Sequence, residues 1–178
     1  MKTRADHLVK VFLIFIIRSP NKYVSFLCMK NGYYELAEKR YKIIVSLLSS
    51  ATFKDRNDRI KSHQLKMAAQ SNLSLCYLKL GDYLQCKSSC DTILGLDANN
   101  EKCLFRRGQA QIAFNNFEQA IKDFQTVLKI NPSNAAAQQQ IEHCYERSKQ
   151  QKVKQKESYQ SFFNDPSKTS LFEVDEKV

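Results

Sequence analysis

Residues 81–94 read GDYLQCKSSCDTIL and residues 115–128 read NNFEQAIKDFQTVL, and the two can be laid over one another at an interval of 34. Gly81 then pairs with Asn115, Tyr83 with Phe117, Cys86 with Ala120, Cys90 with Phe124, and Ile93-Leu94 with Val127-Leu128, before Pro132 closes the second unit. A looser copy, Gly32, Tyr34, Ala37, Tyr41 and Ile44-Val45, stands 49 residues ahead of the first because about 15 extra residues intervene. Within each copy the apolar positions recur at helical spacing. A unit that repeats in this way cannot bury its apolar face alone and must stack on its neighbours.

A 34-residue period with small and aromatic residues at these offsets is the tetratricopeptide signature. It predicts an all-α fold of three tetratricopeptide helix-turn-helix repeats plus a long C-terminal capping helix, wound as a right-handed superhelical solenoid. Such stacks offer a groove for another protein's peptide and not a catalytic pocket. Four Gly and three Pro in 178 residues agree with long helices and not with a turn-rich β fold.

The formal net charge of +10 is unevenly spread. Residues 1–70 carry 14 Lys/Arg against 5 Asp/Glu, and residues 71–178 carry 14 against 13, so the basic excess sits at the amino-terminal end. No basic run interleaved with aromatics marks a nucleic-acid module, and no nucleic-acid partner is expected. The apolar run LVKVFLIFII at 8–17 is too short to span a bilayer, so no membrane role is expected. Basic residues precede that run as in a signal peptide, but Lys10 interrupts it and Arg18-Ser19-Pro20 offers no small-residue cleavage site. Of the six cysteines, Cys76, Cys86 and Cys90 occupy the offsets of Ala110, Ala120 and Phe124 and are read as core residues. Cys86 and Cys90 lie one turn apart but lack further ligands at zinc spacing, so no metal and no cofactor is expected. Free thiols in this number suit a reducing compartment, the cytoplasm or the nucleus.

The chain divides into an apolar extension over 1–18, a repeat domain over 19–163 and a disordered tail over 164–178. The repeats are placed at about 19–50, 63–96 and 99–130, with turns at Gly32, Gly81-Asp82 and Asn115-Asn116. The polar stretch ATFKDRNDRIK at 51–61 lengthens the connection or the flanking helix ends. Leu36, Ala37, Tyr41, Ile44, Val45 and Leu48 form the buried face of the helix over 34–50. The last helix is placed at about 132–163, with Asn131 as its cap and Pro132 in its first turn. A stripe of Ile141, Cys144, Tyr145 and Ser148 covers the third pair. The basic stretch 147–156 lacks the bulky anchors of a calmodulin target apart from Val153, and is read as a solvated helix and not a calmodulin site.

The first helix of each pair lines the concave face. Lys102 and Arg106 stand four apart on one such helix and point the same way. Asn72 holds the offset of Arg106 one repeat earlier, and Lys22 lies on the first helix of the first repeat. Two ammonium groups, a guanidinium and a carboxamide in one groove suit a peptide ending in a free carboxylate beside a terminal Asp side chain.

Residues 99–137, NNEKCLFRRGQAQIAFNNFEQAIKDFQTVLKINPSNAAA, closely resemble the third repeat of the large FKBP-type immunophilins. SNLSLCYLKLGDY (71–83) and YKIIVSLL (41–48) resemble their second and first repeats, and KESYQSFF (156–163) is similar to the charged-then-tyrosine motif that follows them. The resemblance implies a co-chaperone or adaptor that binds the C-terminal Glu-Glu-Val-Asp of heat-shock protein 90, or of heat-shock protein 70. Its carboxylate clamp falls on Lys22, Asn72, Lys102 and Arg106. Such clamps often carry Asn one turn after the first Lys, where this chain has Phe26, which removes one donor. Two other readings stand beside this one: a fragment of a peptidylprolyl isomerase whose catalytic domain is missing, and a scaffold for a different peptide.

About twenty residues before the repeats cannot hold an isomerase domain, and no catalytic residues are expected. The 178-residue chain should therefore not accelerate cis–trans exchange in a proline peptide assay. Turnover inhibited by the family's macrolide ligand would contradict this.

Overall fold

The computed structural model describes residues 27–53 and 55–164. Every regular element among them is helical: α1 (Tyr34–Ser50), α2 (Arg56–Leu80), α3 (Tyr83–Leu94), α4 (Glu101–Ala113), α5 (Phe117–Ile130) and α6 (Ala135–Phe163). Residues 27–30, ahead of α1, are helical. The expectations for residues 1–18, for the start of that preceding helix, for Lys22 and Phe26, and for the tail after Asn164 lie outside the described residues.

The same turn recurs in all three repeats. Gly32, Gly81 and Asn115 have φ of 82°, 78° and 57°, the left-handed region that Gly and Asn tolerate best. At each, the following amide reaches back five residues: Tyr33 to the Cys28 carbonyl at 2.8 Å, Asp82 to Tyr77 at 2.9 Å, and Asn116 to Gln111 at 2.9 Å. This pairing closes one helix and reverses the chain into the next. Side-chain caps then start the new helices, with Asp82 accepting from the Gln85 amide and Asn100 from the Cys103 amide, both at 3.2 Å.

Each helix packs on the next in sequence, and α2 also packs on α4. This last contact stacks the first helix of one repeat on the first helix of the following one. Two apolar clusters result. The larger joins α1, α2 and α3 through Tyr41, Leu73, Tyr77 and Ile93, and the smaller joins α4, α5 and α6 through Leu104, Phe124, Val127 and Cys144. Leu94 packs against both. All six cysteines are free and buried, among them Cys76, Cys86 and Cys90, whose repeat offsets imply it. Burial pushes the Cys76 thiol up to about 11, so it stays protonated and apolar at neutral pH.

Four expectations need correction. The first helix of the second repeat starts at Arg56 and not at about 63, so 56–61 lengthens that helix, because Asp55 accepts from the Asn57 amide at 3.2 Å and caps the helix there. The last helix begins at Ala135 and not at 132. Its cap is Asn134, which accepts from the Ala137 amide at 3.0 Å, whereas the Asn131 side chain donates to Glu101. Leu36 is exposed, leaving Ala37, Tyr41, Ile44 and Leu48 as the buried face of α1. Tyr145 is exposed too, and the stripe that covers α5 runs Ala137, Ile141, Cys144. From Lys149 to Phe163 every residue of α6 is exposed.

Helices α4 and α5 approach closely at Gly108. A Cβ added at Gly108 would lie 2.7 Å from the ring of Phe124, itself fully buried and edge-on to Phe105 at 5.3 Å. Phe124→Ala should cost about 3–5 kcal/mol of stability by the cavity it leaves. Gly108→Ala should also lower the melting temperature, because overpacking of about 1–3 kcal/mol outweighs a helix-propensity gain of about 1 kcal/mol. Thermal unfolding of both variants checks the pair, and a Gly108→Ala protein more stable than the parent would show that the α4–α5 contact has slack.

Candidate functional site

Of the candidate residues, Asn72 sits on α2 and Lys102 and Arg106 on α4, two helices that pack against each other. Lys102 lies in the first turn of α4, exposed, with no hydrogen bond or ion pair among the described residues. Arg106, one turn on, is half-buried and reaches across to α2. Its Nη1 donates to the Ser71 carbonyl at 2.6 Å, to Ser71 Oγ at 3.1 Å and to Ser74 Oγ at 3.3 Å. One edge of the guanidinium is thereby fixed by α2, while Nε and Nη2 make no hydrogen bond among the described residues. A planar group fixed on one edge presents the other in a defined direction.

Asn72 is the neighbour of Ser71, so the structure does bring Arg106 and Asn72 to one stretch of α2. The carboxamide turns towards α1, where Nδ2 donates to the Tyr41 hydroxyl at 3.1 Å. Tyr41 is almost wholly buried, and a buried phenol needs such a partner. Burial pushes its pKa up, and the Asn72 hydrogen bond opposes that rise only in part. A second N–H and the carbonyl oxygen of Asn72 remain to meet a ligand. The groove thus holds a free ammonium, a guanidinium fixed on one edge and an amide fixed by one hydrogen.

Sequence reasoning took Tyr41 only as a core residue and passed over Ser71 and Ser74. The signal was present: two hydroxyls three apart on α2, one repeat before an arginine on the facing helix. Arg106 therefore also bears on folding, since removing it breaks the tie between the second and third repeats.

The adjacent Arg107 points the other way and is structural. Its Nε and Nη2 clasp the Asp123 carboxylate on α5 at 2.9 and 2.7 Å, and Nη1 donates to Asp91 of α3 at 2.8 Å. Asp91 also pairs with Lys87 at 3.0 Å. Burial raises the Asp91 pKa, but the hydrogen bonds from Arg107 and Lys87 prevail and hold it below the usual carboxylate value. Arg107 therefore clamps three helices of the stack and keeps α4 from rotating about its axis.

A sequence comparison places tetratricopeptide repeats at residues 68–100 and 101–134. Over 134 residues the chain is 42% identical to the mouse peptidyl-prolyl cis-trans isomerase FKBP4, a match covering 75% of this chain and 29% of that protein. The chain thus spans less than a third of the length of this relative. Among solved structures, the C-terminal tetratricopeptide-containing domain of a Plasmodium falciparum FK506-binding protein superposes with a TM-score of 0.68 at 23% identity, covering 75% of this chain and 89% of that one. The myosin chaperone UNC-45 of C. elegans, solved in complex with an Hsp90 peptide, superposes with a TM-score of 0.63 at 23% identity over 78% of this chain and 14% of that one. Both structural likenesses are of fold.

Arg107→Ala should destabilise the domain by roughly 2–4 kcal/mol, because it strands the nearly buried Asp123 carboxylate. The pH dependence has a definite sign. A depressed folded-state pKa at Asp91 adds stability above the ordinary carboxylate value, and that stability is lost as pH falls through the folded value. The gap between wild type and Arg107→Ala in denaturant titrations should therefore narrow below about pH 4. A gap that stays constant down to pH 2 would remove Asp91 from the account.

Proposed function

We propose that this chain, which belongs to the tetratricopeptide-repeat proteins and whose repeats match those of the FKBP4-type immunophilins, is a co-chaperone module that captures the C-terminal Glu-Glu-Val-Asp of heat-shock protein 90. Heat-shock protein 70, sharing that terminus, is the second partner of the same groove. The observation that carries the reading is the pair Lys102 and Arg106, two cations on one stripe of α4 facing Asn72 on α2 with no acidic side chain bonded to either among the described residues. Lys102 and Arg106 receive the Asp side chain and the backbone before it, and Asn72 with Lys22 receives the terminal carboxylate. Ser71 and Ser74 hold Arg106 in place before the ligand arrives, which lowers the ordering cost of binding. Phe26 stands where a further donor would serve and tunes affinity by its absence. Such partners put the protein at work in the cytoplasm, with the nucleus as a second location.

Lys102→Ala should leave the fold intact, since the side chain is exposed and Ala favours helix. It should weaken the peptide roughly tenfold, the size of one charge-assisted hydrogen bond. Amidating the peptide's carboxyl terminus should weaken it by about as much or more, and wild-type affinity should fall with added salt. Calorimetry with free and amidated Glu-Glu-Val-Asp measures all three. Equal affinity for the two peptides would remove the clamp and favour a scaffold for some other ligand.

A further inference from the structure

Cys86 and Cys90 stand one turn apart on α3, and Cys103 meets them from the first turn of α4. All three are wholly excluded from solvent, and their thiols form one hydrogen-bonded row. Cys103 donates to Cys90, and Cys90 donates to Cys86. The row is tied to Arg106 at both ends. Cys86 Sγ reaches the Arg106 carbonyl at 3.9 Å, and Ser71, whose Oγ accepts from Arg106 Nη1, donates to Cys103. Packing alone does not call for thiols here, since the equivalent offsets in the other repeats hold Ala120, Phe124 and Ala69.

We propose that this row is a redox switch, which hydrogen peroxide converts to a Cys90–Cys103 disulfide that ties α3 to α4 and weakens the clamp. The crosslink stands on the thiols alone, while its effect on binding rests on the carboxylate-clamp reading. The hydrogen bond from Cys90 outweighs burial and holds the Cys86 thiol below its ordinary value, which makes Cys86 the first nucleophile. Its sulfur attacks the peroxide and breaks the O–O bond. Cys86 becomes a sulfenic acid, and the departing hydroxide takes the thiol proton and leaves as water. The Cys90 sulfur then displaces the hydroxyl from Cys86, which leaves as a second water with the Cys90 proton. Cys103 attacks Cys90 in turn and its proton passes to Cys86, the best leaving group of the three. Two thiols and one peroxide thus give one disulfide and two waters. The exchange ends at Cys90–Cys103 because Cβ atoms one helical turn apart are roughly 5–6 Å from each other. A disulfide holds them at about 3.8 Å, so the Cys86–Cys90 bond is strained. The finished bond draws the two sulfurs to about 2 Å, well inside hydrogen-bond contact, and pulls α4 towards α3. Cys103 lies between Lys102 and Arg106 in sequence, so both cations are carried out of register with Ser71 and Asn72. Peroxide reaches the row through local opening of the stack, so the crosslink forms more slowly than an exposed thiol oxidises.

The test uses the full chain, first reduced and then held in hydrogen peroxide. Mass spectrometry after alkylation should find Cys90 joined to Cys103 within one chain, with the other four thiols alkylated. Calorimetry should show Glu-Glu-Val-Asp bound roughly tenfold more weakly, the size of one charge-assisted hydrogen bond, with full recovery on reduction by dithiothreitol. Cys86→Ala copies the third repeat at that offset and should fold, yet form the crosslink several-fold more slowly. Cys103→Ala copies the second repeat and, confirmed as folded by circular dichroism, should keep its affinity in peroxide. A crosslink between chains or between other cysteines, thiols driven to sulfinic acid without one, or a Cys90–Cys103 bond that leaves affinity unchanged overturns the switch and leaves the clamp standing. A loss of affinity that persists in Cys103→Ala does the same. A reduced chain that binds no peptide brings down the clamp, and the switch with it.

Discussion

The close approach of α4 and α5 at Gly108 and Phe124 sets the geometry on which the rest depends. Without a side chain at Gly108 the two helices come together until the Phe124 ring meets α4 backbone. That contact, locked by Arg107 between Asp91 and Asp123, fixes the rotation of α4 about its own axis. Rotation decides which residues of α4 face α2. Lys102 and Arg106 enter the groove because Arg107 and Gly108 are committed to the opposite side. Two neighbouring arginines thus differ: Arg107, tied to two carboxylates, holds the stack, while Arg106, tied to Ser71 and Ser74, bonds no carboxylate among the described residues.

Stacking supplies what a single helix pair cannot. The tie from Arg106 to Ser71 and Ser74 crosses from the third repeat to the second, and the hydrogen bond from Asn72 to Tyr41 crosses from the second to the first. The groove therefore draws on three repeats, with Asn72 and Arg106 each set by a partner one repeat away. This arrangement couples binding to the integrity of the whole solenoid. It also separates Lys102, which ties no helix to another among the described residues, from Arg106, whose removal would disturb the stack.

Much of this was legible in the sequence because it is periodic. The 34-residue interval gave the three turns, and Gly32, Gly81 and Asn115 all adopt the left-handed conformation at equivalent places. Cysteines at alanine and phenylalanine offsets were read as core and are buried. Local chemistry was harder. Asn131 has the composition of a cap for α6, but both Asn131 and Asn134 donate to Glu101 and only the Asn134 oxygen meets a first-turn amide, that of Ala137. Asp55 starts α2 earlier than the repeat period suggests, since the extra residues lie outside the period and only the cap marks the boundary. Tyr145 and Leu36 occupy helical stripes that are apolar by composition, but packing covers only one edge of each. The hydroxyls that hold Arg106 were passed over because their role shows only when α2 is set against the arginine one repeat on.

The central claim, that the α2–α4 groove and not another face receives an acidic free carboxyl terminus, is tested most directly by NMR on the isotope-labelled chain during titration with Glu-Glu-Val-Asp. The account predicts that the largest shift changes fall on the Asn72 carboxamide, the Arg106 guanidinium and the backbone amides around Lys102. Changes confined to the exposed half of α6, with those three signals unmoved at saturation, would contradict it.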